Sequence, residues 1–456
     1  MTVNNKLTEG NIIKTLITLA LPIMGTSFVQ MAYNMTDMIW IGRIGSKAVA
    51  AVGTAGFFTW LGMAFILIPK IGAEIGVAQS VGREDIHRAR SFTKHTLQLN
   101  IILGILYGAS LFLFRRKLIG FFNIGDQEVV SMATSYLMII ALGMNFYFLN
   151  PLFTGLYNGY GDSKTPFVIN AVGLVANMVL DPLLIFGIGP FPAMGVAGAA
   201  IATISAQLLV TLIFIYRLKK MALFKKLRLF TKPDGEVMKG IIRLGLPVAL
   251  HSGLFAIFAM FLARIVAQWG PVPIAVQRVG SQIEAISWMT AGGFSTALGT
   301  FVGQNYGAGK WERIHKGYYS AMGIVGVIGI GATCLLIFAA RPVFSIFIRE
   351  EEAIRYGIVY LKILGLSQLF MCVEIATAGA FNGLGRTIPP SVISILFTGL
   401  RVPIALWVSA EHLLGLNGVW WTISISSVFK GILLTGWFAL LLKQQRANLG
   451  LSKSKS

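Results

Sequence analysis

Charge is scarce in this chain. Of its 456 residues, 12% are Asp, Glu, Lys or Arg and 55% are hydrophobic. Soluble domains carry about a quarter charged residues, so this composition, with a mean hydropathy of +0.73, excludes a water-soluble globular protein. Acid is scarcer than base: 18 Asp and Glu face 38 Lys and Arg, a net charge of +20. In a soluble protein that excess would suggest nucleic acid. In so apolar a chain it reads instead as basic loops on the cytoplasmic side of a membrane, and no nucleic-acid partner is expected. Cysteine is nearly absent; Cys334 and Cys372 both lie in apolar stretches, so no disulfide framework is implied. No cleaved signal peptide is expected either, because the apolar run after Lys14 continues past Asp37 and is one of many.

What is present is written twice. Gln79-Ser-Val-Gly82 recurs as Gln304-Asn-Tyr-Gly307, and the same shift of 225 carries Leu21-Pro22 onto Leu246-Pro247 and Gly45 onto Gly270. Gly155, Asn158, Gly159, Gly161 and Pro166 recur as Gly379, Asn382, Gly383, Gly385 and Pro390, now 224 apart, and Gly195 and Gly198 match Gly415 and Gly418. A duplicated apolar design points to membrane transport.

Apolar periodicity predicts twelve membrane helices, each needing about 20 residues. They fall near 14–41, 46–80, 91–114, 128–151, 163–189 and 195–217, then 238–269, 273–305, 314–340, 353–381, 388–410 and 415–442. The predicted fold is therefore all-α: an N-terminal six-helix lobe over 1–216, a basic linker over 217–237, and a C-terminal six-helix lobe over 238–456. Six spans per copy is an even number, so the lobes share one orientation and are expected to be pseudo-twofold related about a central cleft. If the N-terminus is cytoplasmic, the inner segments hold most of the Lys and Arg, the linker with Lys219, Lys220, Lys225, Lys226 and Arg228 above all. That bias places both termini in the cytoplasm, with the linker against anionic lipid.

The copies differ where it matters chemically. Asp37 and Asp181 lie inside apolar segments of the first copy, and their counterparts in the second are Leu262 and Ala405. Gln30, Asn34 and Asp37 form one stripe on the first helix; Asn170, Asn177 and Asp181 form another on the fifth. Neither acid has a basic residue within one turn, and intramembrane acids mark ion pathways. Counting depth at about 1.5 Å per residue brings Tyr136, Asn177, Asp181 and Thr203 to the level of Asp37 in the outer half of the membrane. Lys70 and Glu74, four apart, read instead as a local ion pair. Pro22 interrupts the first helix, as a moving hinge or a static kink, and Pro182 frees the carbonyl of Met178. The second copy holds Arg264, Arg278, Lys362, Arg401 and Lys430 against Glu284 and Glu374, and these two acids either face the cleft or neutralise the cations. Met24, Met31, Met35 and Met38 are soft side chains that suit an adaptable cavity or plain packing.

In order and repetition these motifs resemble the multidrug and toxic compound extrusion (MATE) family over essentially the whole chain. Within it, the sequence is similar to the DinF-type branch, whose N-lobe coupling cluster is matched in type and spacing by Asp37, Tyr136, Asn177, Asp181 and Thr203. Other branches place an acid in the seventh helix, where this chain has only His251. The resemblance implies a transporter, not an enzyme. It would export organic cations or drugs across the cell membrane in exchange for protons or sodium ions, its lobes rocking about the cleft. Gln30, Met31, Asn34, Asn170, Glu284 and Glu374 are the candidate cavity residues and Pro22 the candidate hinge. No cofactor is expected beyond the coupling ion, no metal beyond sodium at the cluster, and no partners beyond the small-molecule cargo and membrane lipid; the chain is expected to act as a monomer. A lipid-linked oligosaccharide flippase of the same superfamily is the rival: the acid pair argues against it, the second-copy arginines for it. A channel or non-transporting receptor explains the duplicated lobes and buried acids poorly.

Overall fold

The computed structural model describes residues 7–219, 221, 224, 229, 231–410 and 412–448. Of the basic positions, Lys6, Lys220, Lys225, Lys226, Arg228, Lys453 and Lys455 lie outside the described residues. Among the described residues fifteen α-helices follow one another. The first copy holds α1 (Ile12–Ile44), α2 (Ser46–Gly82), α3 (Ile86–Gly120), α4 (Gln127–Leu142), α5 (Met144–Tyr160), α6 (Lys164–Phe186) and α7 (Gly195–Leu218). The second holds α8 (Gly235–Val266), α9 (Pro271–Gly307), α10 (Trp311–Phe338), α11 (Ala340–Ser345), α12 (Glu351–Gly365), α13 (Gln368–Gly383), α14 (Ile388–Val408) and α15 (Leu416–Asn448).

Nine of these helices are long and apolar enough to cross a membrane, and the count is eleven when α4 with α5 and α12 with α13, bent by 53° and 50° at their breaks, are each taken as one span. A further long rod is α9, 37 residues, which carries Gln277, Arg278, Gln282 and Glu284. The fourth and tenth spans, expected as single helices, are thus broken in both copies at equivalent places, Gly143 and Leu366-Ser367. No proline stands at either break. At Gly143 a side chain would collide with Ile204 of α7, so the bend is set by packing.

The repeated motifs are the joints. Gly161 closes α5 in the left-handed region at φ 96° and donates its N–H to the Asn158 carbonyl at 2.8 Å. Gly385 repeats this at φ 76°, with the same bond to Asn382. Only glycine takes that conformation without strain. A Cβ on Gly159 would lie 2.6 Å from the Glu74 carbonyl oxygen, and one on Gly383 would strike the Gly299 carbonyl, so α5 packs on α2 and α13 on α9 backbone to backbone. Asp85 and Asp126 cap α3 and α4, accepting the N–H groups of Arg88 and Glu128, each at 2.9 Å.

The chain forms two compact units. One comprises Leu21–Ala249; the other joins the described residues up to Ala20 to those from Leu250 onward. Within α1 the change of unit falls immediately before Pro22, and within α8 two residues after Pro247. In the second unit the segment before α1 is held by Arg313, whose guanidinium donates to the carbonyls of Leu7 (3.2 Å), Glu9 (2.5 Å) and Gly10 (2.8 Å), while Lys310 takes that of Thr8 at 3.0 Å and Asn305 that of Leu7 at 3.1 Å. In the first, the segment before α8 is held by α3: Gln98 donates to the carbonyls of Leu229 (2.6 Å) and Thr231 (2.9 Å). Large apolar side chains such as Leu113, Phe338 and Trp407 stay exposed, which suits acyl chains and not water.

Candidate functional site

The first unit gathers the five expected residues from four helices. Asp37 comes from α1, Tyr136 from α4, Asn177 and Asp181 from α6, and Thr203 from α7. The Asp37 and Asp181 carboxyls lie within hydrogen-bonding reach of each other, and Asn177 reaches both, donating to Asp181 Oδ1 at 3.2 Å. Thr203 Oγ1 makes a long contact of 3.4 Å to Asp37 Oδ2. Tyr136 is buried within electrostatic range of both acids. Asp181 and Asn177 are fully buried and Asp37 half-buried.

Neither acid takes part in an ion pair among the described residues. Asp37 Oδ1, Asn177 Oδ1 and Asp181 Oδ2 are buried without a donor. Two carboxyls in contact in a low dielectric cannot both stay charged with nothing between them. A shared proton satisfies both, since the protonated acid donates to the other. A hard cation would also suit such an all-oxygen set. The arrangement can hold one positive charge and release it.

Two tyrosines of this site went unread in the sequence. Tyr33, four residues before Asp37 on α1, donates to the Thr203 carbonyl at 3.4 Å, and Tyr147 on α5 lies within electrostatic range of both acids. The i, i+4 spacing to Asp37 was a signal for Tyr33. Tyr147 stands beyond the break at Gly143, where register cannot be counted through.

The candidate cavity residues scatter. Gln30 and Asn34 are exposed on α1 and Met31 is half-buried there. Asn170 turns to α5, its amide on the Pro166 carbonyl at 2.7 Å and on Thr154 Oγ1 at 3.4 Å. Pro22 lies inside an α1 that runs unbroken through it. Lys70 and Glu74 do not close into the expected ion pair: the Lys70 chain lies along α5, its Cγ 3.1 Å from where a Gly155 Cβ would be.

In the second unit, Glu374 on α13 bridges Lys430 on α15 at 3.1 Å, both nearly buried, and accepts from Ser394 on α14 at 2.9 Å. Arg401 donates to Ser426 (2.6 Å) and Ser427 (2.9 Å) on α15. Glu284 on α9 accepts from Gln368 at 3.4 Å and from Tyr360, leaving its Oε1 without a donor. Of the two alternatives open for Glu374, neutralising a cation is the one this geometry matches.

The MatE family model matches residues 22–183 and 247–407, one segment in each copy. The chain is 30% identical to a probable multidrug resistance protein NorM of Thermotoga maritima, over 92% of this chain and 90% of that one. It is 24% identical to an FAD transporter of Shewanella oneidensis, over 92% of each. It also resembles a crystal structure of MATE in complex with MaL6, with a TM-score of 0.89 and 26% identity over 98% of this chain and all of that one.

Proposed function

The chain belongs to the multidrug and toxic compound extrusion family, and from that premise we propose that it is a proton-coupled antiporter exporting organic cations or drugs from the cytoplasm. One observation carries the coupling: fully buried Asp181 against half-buried Asp37, in no ion pair among the described residues, with three site oxygens without donors. A proton entering the site neutralises one charge and completes the hydrogen bonding. Its departure leaves negative charge that a cationic cargo can answer, so proton and cargo compete. Tyr136, Asn177 and Thr203 hold the acids in place in either state. Confinement of the acids to one unit, with His251 in place of a carboxylate on α8, supports the DinF-type branch. Alternating access by rocking, with α1 flexing at Pro22, completes the cycle, and the loop charge asymmetry supports termini in the cytoplasm.

Sodium is the competing ion on the same oxygens. The flippase reading loses Lys430, which Glu374 neutralises, and keeps Arg401, whose charge is held by two neutral serines. Proteoliposomes with an imposed gradient test the proposal. An outside-acid proton gradient without sodium should drive ethidium out of the compartment equivalent to the cytoplasm. Efflux under a sodium gradient alone would overturn the proton assignment. Movement of FAD without ethidium would overturn the cationic cargo.

A further inference from the structure

The second unit carries a groove that the transport reading does not use. It lies between the first turns of α10 and the last turns of α15, at the end of the unit where the described chain begins and ends. His315 and Tyr319 form one wall and Gly436, Ala439, Leu440, Lys443 and Arg446 the other, enclosing about 480 Å³. We propose that this groove binds the headgroup of an anionic phospholipid.

Charge comes first. Lys443 and Arg446, three apart on one face of α15, are both exposed, and Arg446 acts electrostatically on His315 across the groove. Lys316 stands on the same turn of α10 as His315, bridged at 2.8 Å to Glu312, on which Arg446 also acts electrostatically. The neighbouring Lys310 and Arg313 hold the carbonyls of residues 7–10, and the Lys and Arg side chains that line the groove are Lys443 and Arg446.

Shape makes the ligand a lipid and not a free anion. Gly436 has open space where a side chain would be, and one turn on the apolar Leu440 of the same wall is 60% exposed. The cationic end of the groove at Lys443 and Arg446 therefore continues along α15 into an apolar stretch of Leu440, Ala439 and Gly436. Trp311 and the exposed Tyr319 sit where aromatic side chains mark the membrane interface. Basic pockets between helices at the cytoplasmic side are suited to lipid phosphates.

The test uses the purified full chain in detergent, titrated with phosphatidylglycerol, phosphatidylcholine or inorganic phosphate. Thermal unfolding and native mass spectrometry read binding. Phosphatidylglycerol should stabilise the protein and survive as an adduct, and the other two should do neither. The double variant Lys443→Gln/Arg446→Gln should weaken phosphatidylglycerol binding about 30-fold, two charges each contributing a factor of about five near an anionic surface. The control Arg115→Gln/Arg116→Gln, on α3, should not. Equal binding by both variants overturns the proposal, and so does equal stabilisation by phosphatidylcholine. If inorganic phosphate reproduces the stabilisation, the groove is a soluble-anion site and the lipid assignment falls. Ethidium efflux in phosphatidylcholine vesicles should persist in the double variant, which separates lipid binding from misfolding and from the coupling site.

Discussion

Replacing Asp181 by Asn should abolish coupling while leaving the fold as stable as before, or more so. The site holds three buried oxygens without donors, and an unsatisfied buried group costs about 1–3 kcal/mol. An amide at position 181 keeps the shape of the acid but brings N–H donors within reach of Asp37, as a hydrogen bond that contributes about 0.5–1.5 kcal/mol. It also removes one of the two acids that otherwise have to share a proton. Asp181→Asn should therefore unfold at the same temperature as the wild type or a few degrees above it. It cannot take up and release a proton, so gradient-driven ethidium efflux should fall to the level of protein-free vesicles. Both quantities are read on one preparation, by intrinsic fluorescence on heating and by dye efflux. Efflux clearly above background would refute the coupling role. A stability loss of more than about 2 kcal/mol, the scale of a newly unsatisfied buried group, would show that the acid serves the fold.

Glu374→Gln should behave in the opposite way: it strands Lys430 without its partner, which costs about 3–5 kcal/mol, and the double variant Glu374→Gln/Lys430→Met should recover most of that loss on heating. Unchanged stability with lost efflux would instead make Glu374 a cargo contact. Single cysteines at Ser46 and Arg446 should label from opposite sides of intact cells, Ser46 from outside; labelling of both from one side would refute the orientation.

The fold was legible because its joints are chemical necessities. Gly161 and Gly385 must be glycine to close their helices, and Gly159 and Gly383 must be glycine to let backbones touch, so duplication left them visible. The acid cluster was legible because a polar stripe on an apolar helix has one explanation fewer than a polar stripe in water. The breaks at Gly143 and Leu366-Ser367 were not, since no proline marks them and the cause, at Gly143, is a side chain on another helix. Nor was the partner of Glu374, which is 56 residues away on α15 and reached only through tertiary packing. Lys70 shows the converse: helical spacing keeps it in electrostatic range of Glu74, but its chain lies over Gly155 and closes no ion pair there.

The passage of α1 and α8 from one unit to the other has a consequence for assembly during synthesis. The first unit is not complete when its own six spans have been made, because it also needs the chain up to Ala249. The second unit includes residues up to Ala20, made well before its own helices. Leu7 waits for Asn305, 298 residues later, a delay of about 15–60 s at about 5–20 residues per second. For that interval the segment before α1 has no docking site and α1 emerges with its first turns unpacked. The joint of α9 and α10, on arrival, closes the second unit over residues 7–10, so neither copy of the repeat finishes folding without a piece of the other.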